Sequence, residues 1–414
     1  MQPYLALAQG LAAAHHRVTL CTHRTFQPFV EAHGVEFAPL AGDIRSLLAS
    51  EAGRRLLAER NPLSAVRQLH ALAAPLLRQV MADIIDVADG ADLLLASTLA
   101  YPNAITASQV HRVPLVLAGL QPFTPSAEFP CALLPPVRLN IPGRGLYHRL
   151  THHATFRLLQ LTSARLANRF RRELSGLPAL RYRDVFGNLI TQRTPVIYAF
   201  SEHLLPQPVD YTSTIEITGF WFLDQQKTWQ PSDELQSFVA AGETPVYIGF
   251  GSMSDRSPEQ LTRIAVEALE RSGRRGILAT GWEGMRNQPP LRNILMIDGA
   301  PHDWLFERVS MVVHHGGVGT VAAALRAGVP QIVTPFSADQ PLWAEMVYRR
   351  GVGLSPLPRR RLNAARLASV IAATHGDRQI HANARRLATA IQAEDGVGRA
   401  VDVIHRILGN EHVQ

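Results

Sequence analysis

Residues 312–345, VVHHGGVGTVAAALRAGVPQIVTPFSADQPLWAE, hold the chain's most chemically specific side chains at short intervals. An apolar run enters His314-His315-Gly316-Gly317-Val318-Gly319-Thr320, and a helical pattern begins at once. Three glycines let a backbone turn sharply and approach a ligand without Cβ clashes. A helix opening there aims free N–H groups and the positive end of its dipole at an anion. The Thr320 hydroxyl and a ring N–H of His315 are suited to the same phosphates, with Gly316, Gly317 and Gly319 lining the turn. After one more helix and strand, Pro335 ends the pattern and Asp339-Gln340 follow. A carboxylate beside a carboxamide offers partners for several sugar hydroxyls at once. Taken alone, the turn also fits a glycine-rich strand–helix junction without a ligand. Asp339 also fits an N-cap for the helix after it, a role compatible with binding.

The elements that must position these residues alternate along the chain. RVTLCTH (17–23), VEFAPL (35–40), ADLLLAST (91–98), VPLVLAGL (113–120) and PVIYAFS (195–201) read as buried strands in the first half. PVYIGFG (245–251), RGILATGW (274–282 region), NILMIDGA (293–300), MVVHHGG (311–317) and PQIVTPF (330–336) do so in the second. Near-continuous apolar strands separated by helical stretches predict an α/β protein with doubly wound parallel sheets, enough for two. The join is expected near 203–232, where Pro206, Pro208, Gly219 and Pro231 interrupt the pattern. The last thirty residues read as two helices split at Gly396–Gly398. Ligands of such domains bind where the strands' carboxyl ends meet the cleft.

Bulk properties narrow the class. A chain of 414 residues with 46% hydrophobic content suits two buried cores. The net charge of +7 is almost wholly arginine, Lys227 being the single lysine. The arginines are scattered and no nucleic-acid-binding pattern is found, so nucleic acid is not expected as a partner. Only Cys21 and Cys131 are present, which excludes a disulfide scaffold. No apolar run reaches the roughly 18 residues that cross a bilayer. MQPYLALAQGLAAAHH lacks a basic n-region and reads as a helix rather than a signal peptide. A cytoplasmic protein is expected.

The order H-x-G-x-x-T, G-x-P, P-x-x-x-D-Q in the 312–345 segment resembles the GT-B UDP-glycosyltransferases (glycosyltransferase family 1). It is most similar to the sterol-glucosyltransferase and glycopeptide-antibiotic branch. GFGSM (249–253), QPFTPSAEFP (121–130) and PVIYAFSEHLLPQPVDYTSTIEITGFWFLD (195–224) extend the resemblance over essentially the whole chain. It implies two Rossmann-like domains facing across a cleft. The expected divisions are an acceptor-binding domain at 1–210, a nucleotide-sugar-binding domain at 211–385 and C-terminal helices at 386–414. By the same resemblance His315 and Thr320 meet the diphosphate, His315 stabilising the leaving group, and Ser252 adds a phosphate contact. Asp339 and Gln340 hold the hexose hydroxyls. Plant members carry a stacking Trp where this chain has Gly299, which leaves base recognition to groups near Ala300-Pro301-His302. His302 itself also fits a satisfied surface histidine, and Trp304 fits core packing. No Asp-x-Asp pair occurs, so neither a metal nor any other cofactor is expected, the helix terminus and His315 facing the leaving diphosphate instead.

On the acceptor side, the Pro-rich stretch 121–136 is expected to form a loop over the cleft, with Gln121, Phe123 and Phe129 lining it. Residues 155–174 read as an amphipathic helix covering the domain, with a membrane-surface element as the alternative; a peripheral membrane contact is the corresponding partner. Relatives begin with a strand and a Gly-Asp loop, whereas Met1-Gln2-Pro3-Tyr4 falls inside the following helix. The first domain's central strand is therefore expected to be missing, leaving two strands without a neighbour. The general base of that loop is expected to be absent from the chain, since His15, His16 and His23 are not placed to replace it. The function implied is inverting transfer of a hexose, glucose first, from a UDP-sugar to a hydroxyl of a sterol-like, terpenoid, polyketide or lipid acceptor. A non-catalytic nucleotide-sugar-binding protein and a nucleotide-sugar epimerase are the alternatives.

Overall fold

The structure is a computed structural model and describes residues 1–42, 62–134, 143–226, 229–251, 258–279 and 293–411. Its first half holds α1 (Gln2–Ala13), β1 (Thr19–His23), α2 (Gln27–Glu31), β2 (Glu36–Leu40), α3 (Pro62–Val87) and β3 (Leu94–Ala96). There follow α4 (Tyr101–His111), β4 (Leu115–Gly119), α5 (Arg144–Ser175), β5 (Val196–Tyr198) and β6 (Ile215–Ile217). The second half holds α6 (Asp233–Ala240), β7 (Val246–Gly249), α7 (Pro258–Ser272), β8 (Gly276–Ala279), β9 (Ile294–Ile297), α8 (His302–Leu305) and β10 (Met311–His314). It ends with α9 (Val318–Ala327), β11 (Gln331–Val333), α10 (Gln340–Arg349), α11 (Ala364–Gly376), α12 (Arg378–Gln392) and α13 (Gly396–Glu411).

Every described strand pair is parallel. In the second half the order is β11-β10-β7-β8-β9. The chain winds outward from β7 to β9 and then returns to the other side of β7, so the winding reverses between β7 and β10. Ligands of open α/β sheets bind at the carboxyl ends of the strands at such a switch point. His314 stands there, directly beside Gly249 in the parallel register.

The first half divides differently. β3-β4-β5-β6 form one sheet, and β1-β2 form another by themselves. Among the described residues, β1 and β3 each have one edge without a strand neighbour. The central strands match their apolar sequences: Val196, Ile197 and Tyr198 of β5 are all buried. β1 and β2 do not. They are mostly half-exposed, with Thr22 their only buried residue, because a two-stranded sheet leaves much of its own surface uncovered. β6 was not evident in the sequence, being three residues, Ile-Glu-Ile, flanked by threonine. It joins the first sheet, which carries that sheet past residue 210.

The two halves share a core. Phe200 and Leu204 pack in one cluster with Val321, Leu325, Trp343, Ala384 and Ile391. The Phe200 and Trp343 rings meet edge-on at 5.6 Å, and Arg350 Nε donates to Leu204 O at 2.9 Å. α13 returns to the first half, laying Val401 and Ile404 against Leu7 and Leu11 of α1. The glycines at the start of α13 act by close approach rather than by breaking the helix, since the break falls at 393–395. A Cβ on Gly396 would lie 2.4 Å from Phe220 O. No helix among the described residues is long and apolar enough to cross a membrane.

Candidate functional site

β10 is fully buried and delivers His314 into the switch point. The His314 ring fixes the turn after it. Its Nδ1 accepts from Gly316 N at 3.1 Å, which leaves Nε2 as the protonated nitrogen, 3.0 Å from Gln331 Oε1. Burial pushes this imidazole down to about 3, so it stays neutral in that tautomer. This support was not read from the sequence. The signal was the doubled histidine together with a glutamine on the next strand.

Gly316 takes φ +95°, a conformation that side chains disfavour. A Cβ there would stand 2.9 Å from Val333 Cγ1 and 3.2 Å from Gln340 O. The glycine turn and the Asp339-Gln340 loop are therefore in direct contact. α9 then starts from Gly317 with no side-chain cap, so its first amides are open to a ligand. A Cβ on Gly319 would meet nothing within 4 Å, which leaves room above the helix's first turn. Thr320 is half-exposed in that turn.

The His315 ring lies between two glycines. Cβ atoms on Gly251 and Gly317 would come within 3.0 Å of its Cε1 and 2.5 Å of its Nε2. Desolvation pushes His315 down to about 4, and its Nδ1 is buried with no hydrogen-bond partner among the described residues. A neutral ring is thus held beside the uncapped helix end. Ser252, expected on the same side, lies outside the described residues.

His302 lines a crevice between the two halves with Asp303, Val318, Gly319, Arg326 and Gln2. Its ring stacks on Phe306 at 4.4 Å, and burial pushes it down to about 4. It is half-buried in the wall of this crevice. Ala300 sits just before it, packed against the Trp304 cluster, and Gly299 opens onto free space. The acidic and basic neighbours in this crevice are engaged: Asp303 Oδ2 accepts from Gln225 N and Gln226 N, and Arg326 pairs with Asp224 at 2.7 Å. Of the histidines near the N-terminus, His16 pairs with His405 at 2.8 Å between exposed rings.

Asp339 and Gln340 follow Ala338, whose φ of +55° is unusual for a residue with a side chain. Gln340 is buried and holds this bend closed, its Oε1 accepting from Phe336 N at 2.8 Å and Ser337 N at 3.2 Å. Asp339 stands at the N-cap position of α10 but does not cap it. Its carboxylate instead accepts from Trp343 Nε1 at 2.7 Å. Burial raises its carboxyl above the ordinary range, against the pull of that hydrogen bond.

On the other side, the loop after β4 is anchored rather than loose. Tyr198 Oη accepts from Phe123 N at 2.9 Å and Thr124 N at 2.7 Å, and Tyr211 Oη donates to Thr124 O at 3.0 Å. Asp210 accepts from Ala127 N at 2.8 Å and Ser126 Oγ at 2.9 Å. Phe123 and Phe129 do not line an open cleft as expected. Both are core residues, Phe123 against Phe156 at 4.8 Å and Phe129 edge-on to Tyr211 at 6.5 Å, because an apolar ring gains more from that packing than from water. Gln121 stays half-exposed at the carboxyl end of β4.

An uncapped helix start, a neutral histidine over it and a carboxylate–carboxamide loop in contact with it thus meet at the switch point of a doubly wound sheet, where such folds bind ligands. Known proteins agree. Residues 1–116 match the glycosyltransferase family 28 N-terminal domain, and residues 278–401 the erythromycin biosynthesis protein CIII-like C-terminal domain. A sterol 3-beta-glucosyltransferase of Arabidopsis thaliana is 35% identical over 99% of this chain and 64% of its own length. One from Cryptococcus neoformans is 34% identical over 99% of this chain and 26% of its own. The chain thus spans about two thirds or less of these relatives. The solved glycotransferase of kitacinnamycin superposes with a TM-score of 0.67 at 20% identity, over 98% of this chain and 95% of that one. Glycosyltransferase VinC, solved in complex with DTDP, gives 0.65 at 17% identity over 99% and 96%. The chain belongs to the GT-B UDP-glycosyltransferases of the sterol and antibiotic type.

Proposed function

We propose that the protein transfers a hexose, glucose, from UDP-glucose to a hydroxyl of an apolar small molecule, with inversion and without a divalent metal. The observation that carries this reading is the contact of the Gly316 turn with the Asp339-Gln340 loop at the β7/β10 switch point. A phosphate-binding turn and a sugar-hydroxyl loop that touch select one ligand bearing both groups. The sterol glucosyltransferase relatives support glucose and a sterol-like acceptor. VinC with its DTDP supports a pyrimidine nucleoside diphosphate here, UDP being favoured by the sterol-type likeness.

In this reading the acceptor oxygen attacks the anomeric carbon, forming the new C–O bond as the bond to the diphosphate breaks. The hydroxyl proton passes to a base, and UDP leaves with the electron pair toward residues 315–320. The α9 amides, the Thr320 hydroxyl and the His315 ring stabilise its growing charge where charge develops. Asp339 and Gln340 orient the hexose, and groups near Ala300 and His302 receive the base. The free thiols of Cys21 and Cys131 fit a cytoplasmic site of action, and contact with a bilayer surface fits an acceptor that dissolves in lipid.

Incubation with UDP-glucose and a panel of sterols and hydrophobic alcohols tests the proposal. UDP release that requires acceptor, with a glucoside found by mass, is the expected result. Tight UDP binding with no glucoside formed on any acceptor would overturn it.

A further inference from the structure

Helix α5 carries a surface that the donor site does not use. Leu146, Leu150, Leu158 and Leu161 are 65%, 56%, 62% and 80% exposed, with Tyr147 beside them. At about 100° per residue these five side chains fall within an arc of roughly 120°, and the leucines extend about 22 Å along the axis. The opposite side of α5 buries His148, Thr151, His152, Phe156 and Phe170, so the helix covers the domain with one face and offers an apolar stripe on the other. Scattered exposed leucines are ordinary on a protein surface; a row of them on one helix face is not.

The charges on α5 are as uneven as its leucines. The helix holds seven arginines and one acid, Glu173, which is paired with Arg169 at 2.7 Å. Arg149 pairs with Asp210 at 3.0 Å, and Arg157 lies over the Tyr182 ring at 3.9 Å. Arg144, Arg165 and Arg172 are exposed and form no ion pair with a described residue. Arg157, Arg165 and Arg172 lie within the leucine arc itself. This charge decides between occupants. A second copy of the chain would set arginines against arginines, whereas an anionic bilayer neutralises them as the leucines leave water.

We propose that the exposed face of α5 docks on an anionic lipid surface, its leucines entering the boundary between headgroups and acyl chains and its arginines meeting lipid phosphates. The buried face of the same helix holds the loop after β4, through His148 Nδ1 to Ala127 O at 2.9 Å and Cys131 N to Thr151 Oγ1 at 2.9 Å. Docking there brings the membrane next to the loop expected to meet the acceptor. That last consequence rests on the apolar-acceptor reading above; the docking does not.

The test is cosedimentation of the full chain with phosphatidylcholine vesicles, with and without phosphatidylglycerol. Binding is expected on the anionic vesicles and to weaken with salt. The double variant L150S/L161S is expected to lose about tenfold or more in partitioning, and R165Q/R172Q severalfold with a shallower salt dependence. Retained UDP binding and far-UV circular dichroism show that the variants fold. No binding to anionic vesicles, or equal binding by wild type and both variants, overturns the proposal. So does a dimer in gel filtration that L150S/L161S abolishes. Vesicle binding without glucosyl transfer to any acceptor would overturn the activity proposed above and leave this docking intact.

Discussion

Gly316 and Gln340 lie so close that a Cβ on the glycine would stand 3.2 Å from the glutamine's carbonyl oxygen. Twenty-three residues of sequence lie between them, and in the proposed reading this contact joins the phosphate half of the site to the sugar half. Gly316→Ala must distort a left-handed backbone and push against Val333 and the 340 loop together. We expect a loss of about 1–3 kcal/mol in stability and at least tenfold in UDP affinity, read by urea unfolding and calorimetry. Gly319→Ala, which adds a methyl to open space, is expected to leave stability unchanged.

His314 and Gln331 support the Gly316 turn from fully buried positions. His314→Ala removes the acceptor for Gly316 N and opens a void in a fully buried site. A cost of about 2–4 kcal/mol is expected. A melting temperature equal to wild type would show that the turn holds itself.

Trp343→Phe leaves the Asp339 carboxyl without its 2.7 Å donor while keeping most of the apolar volume. The consequence is expected at the sugar and not at the nucleotide: weaker UDP-glucose binding with UDP binding unchanged. Equal weakening of both ligands would contradict the assignment of Asp339 to the hexose.

Acid should destabilise the protein. Burial pushes His152, His302 and His315 from the ordinary 6.5 to about 4, and His314 to about 3. Between these values the unfolded chain binds protons that the folded chain does not, so stability is complete above about pH 6.5 and falls as pH drops toward 4. Urea midpoints measured across this window should fall with falling pH. At His315 a bound diphosphate favours the charged ring. UDP binding near pH 6 should therefore take up protons, an effect visible as a buffer-dependent enthalpy and absent in His315→Gln.

Tyr198 is the strut of the acceptor-side loop. Tyr198→Phe deprives the buried amides of Phe123 and Thr124 of their common acceptor. The expected result is a raised KM for the acceptor, a stability loss of about 2–4 kcal/mol and unchanged UDP affinity. A kcat loss with both KM values intact would instead place Tyr198 in the chemistry.

Local order carried much of this in advance. Continuous apolar runs identify β4, β5, β7 and β10 because strands covered on both faces need nothing but apolar residues. The turn through His315, Gly316, Gly317 and Thr320 is legible because it is built from adjacent residues, and Asp339-Gln340 because the pair is contiguous. What depends on distant partners was not legible. Phe123 and Phe129 read as lining and prove to be core, since burial is set by α5 and Tyr211 from elsewhere in the chain. Asp339 read as a hexose ligand that also fits an N-cap; the cap is not made, because Asp339 takes a helical rather than an extended conformation, and its carboxylate meets Trp343. The tautomer of His314 needed Gln331 on the neighbouring strand, and β6 needed β5 to pair with. The sequence alone determined which polar side chains and glycines stand together at 314–320 and 339–340. Only the tertiary structure decided which of them touch, because parallel sheets assemble a site from strand ends that the chain holds far apart.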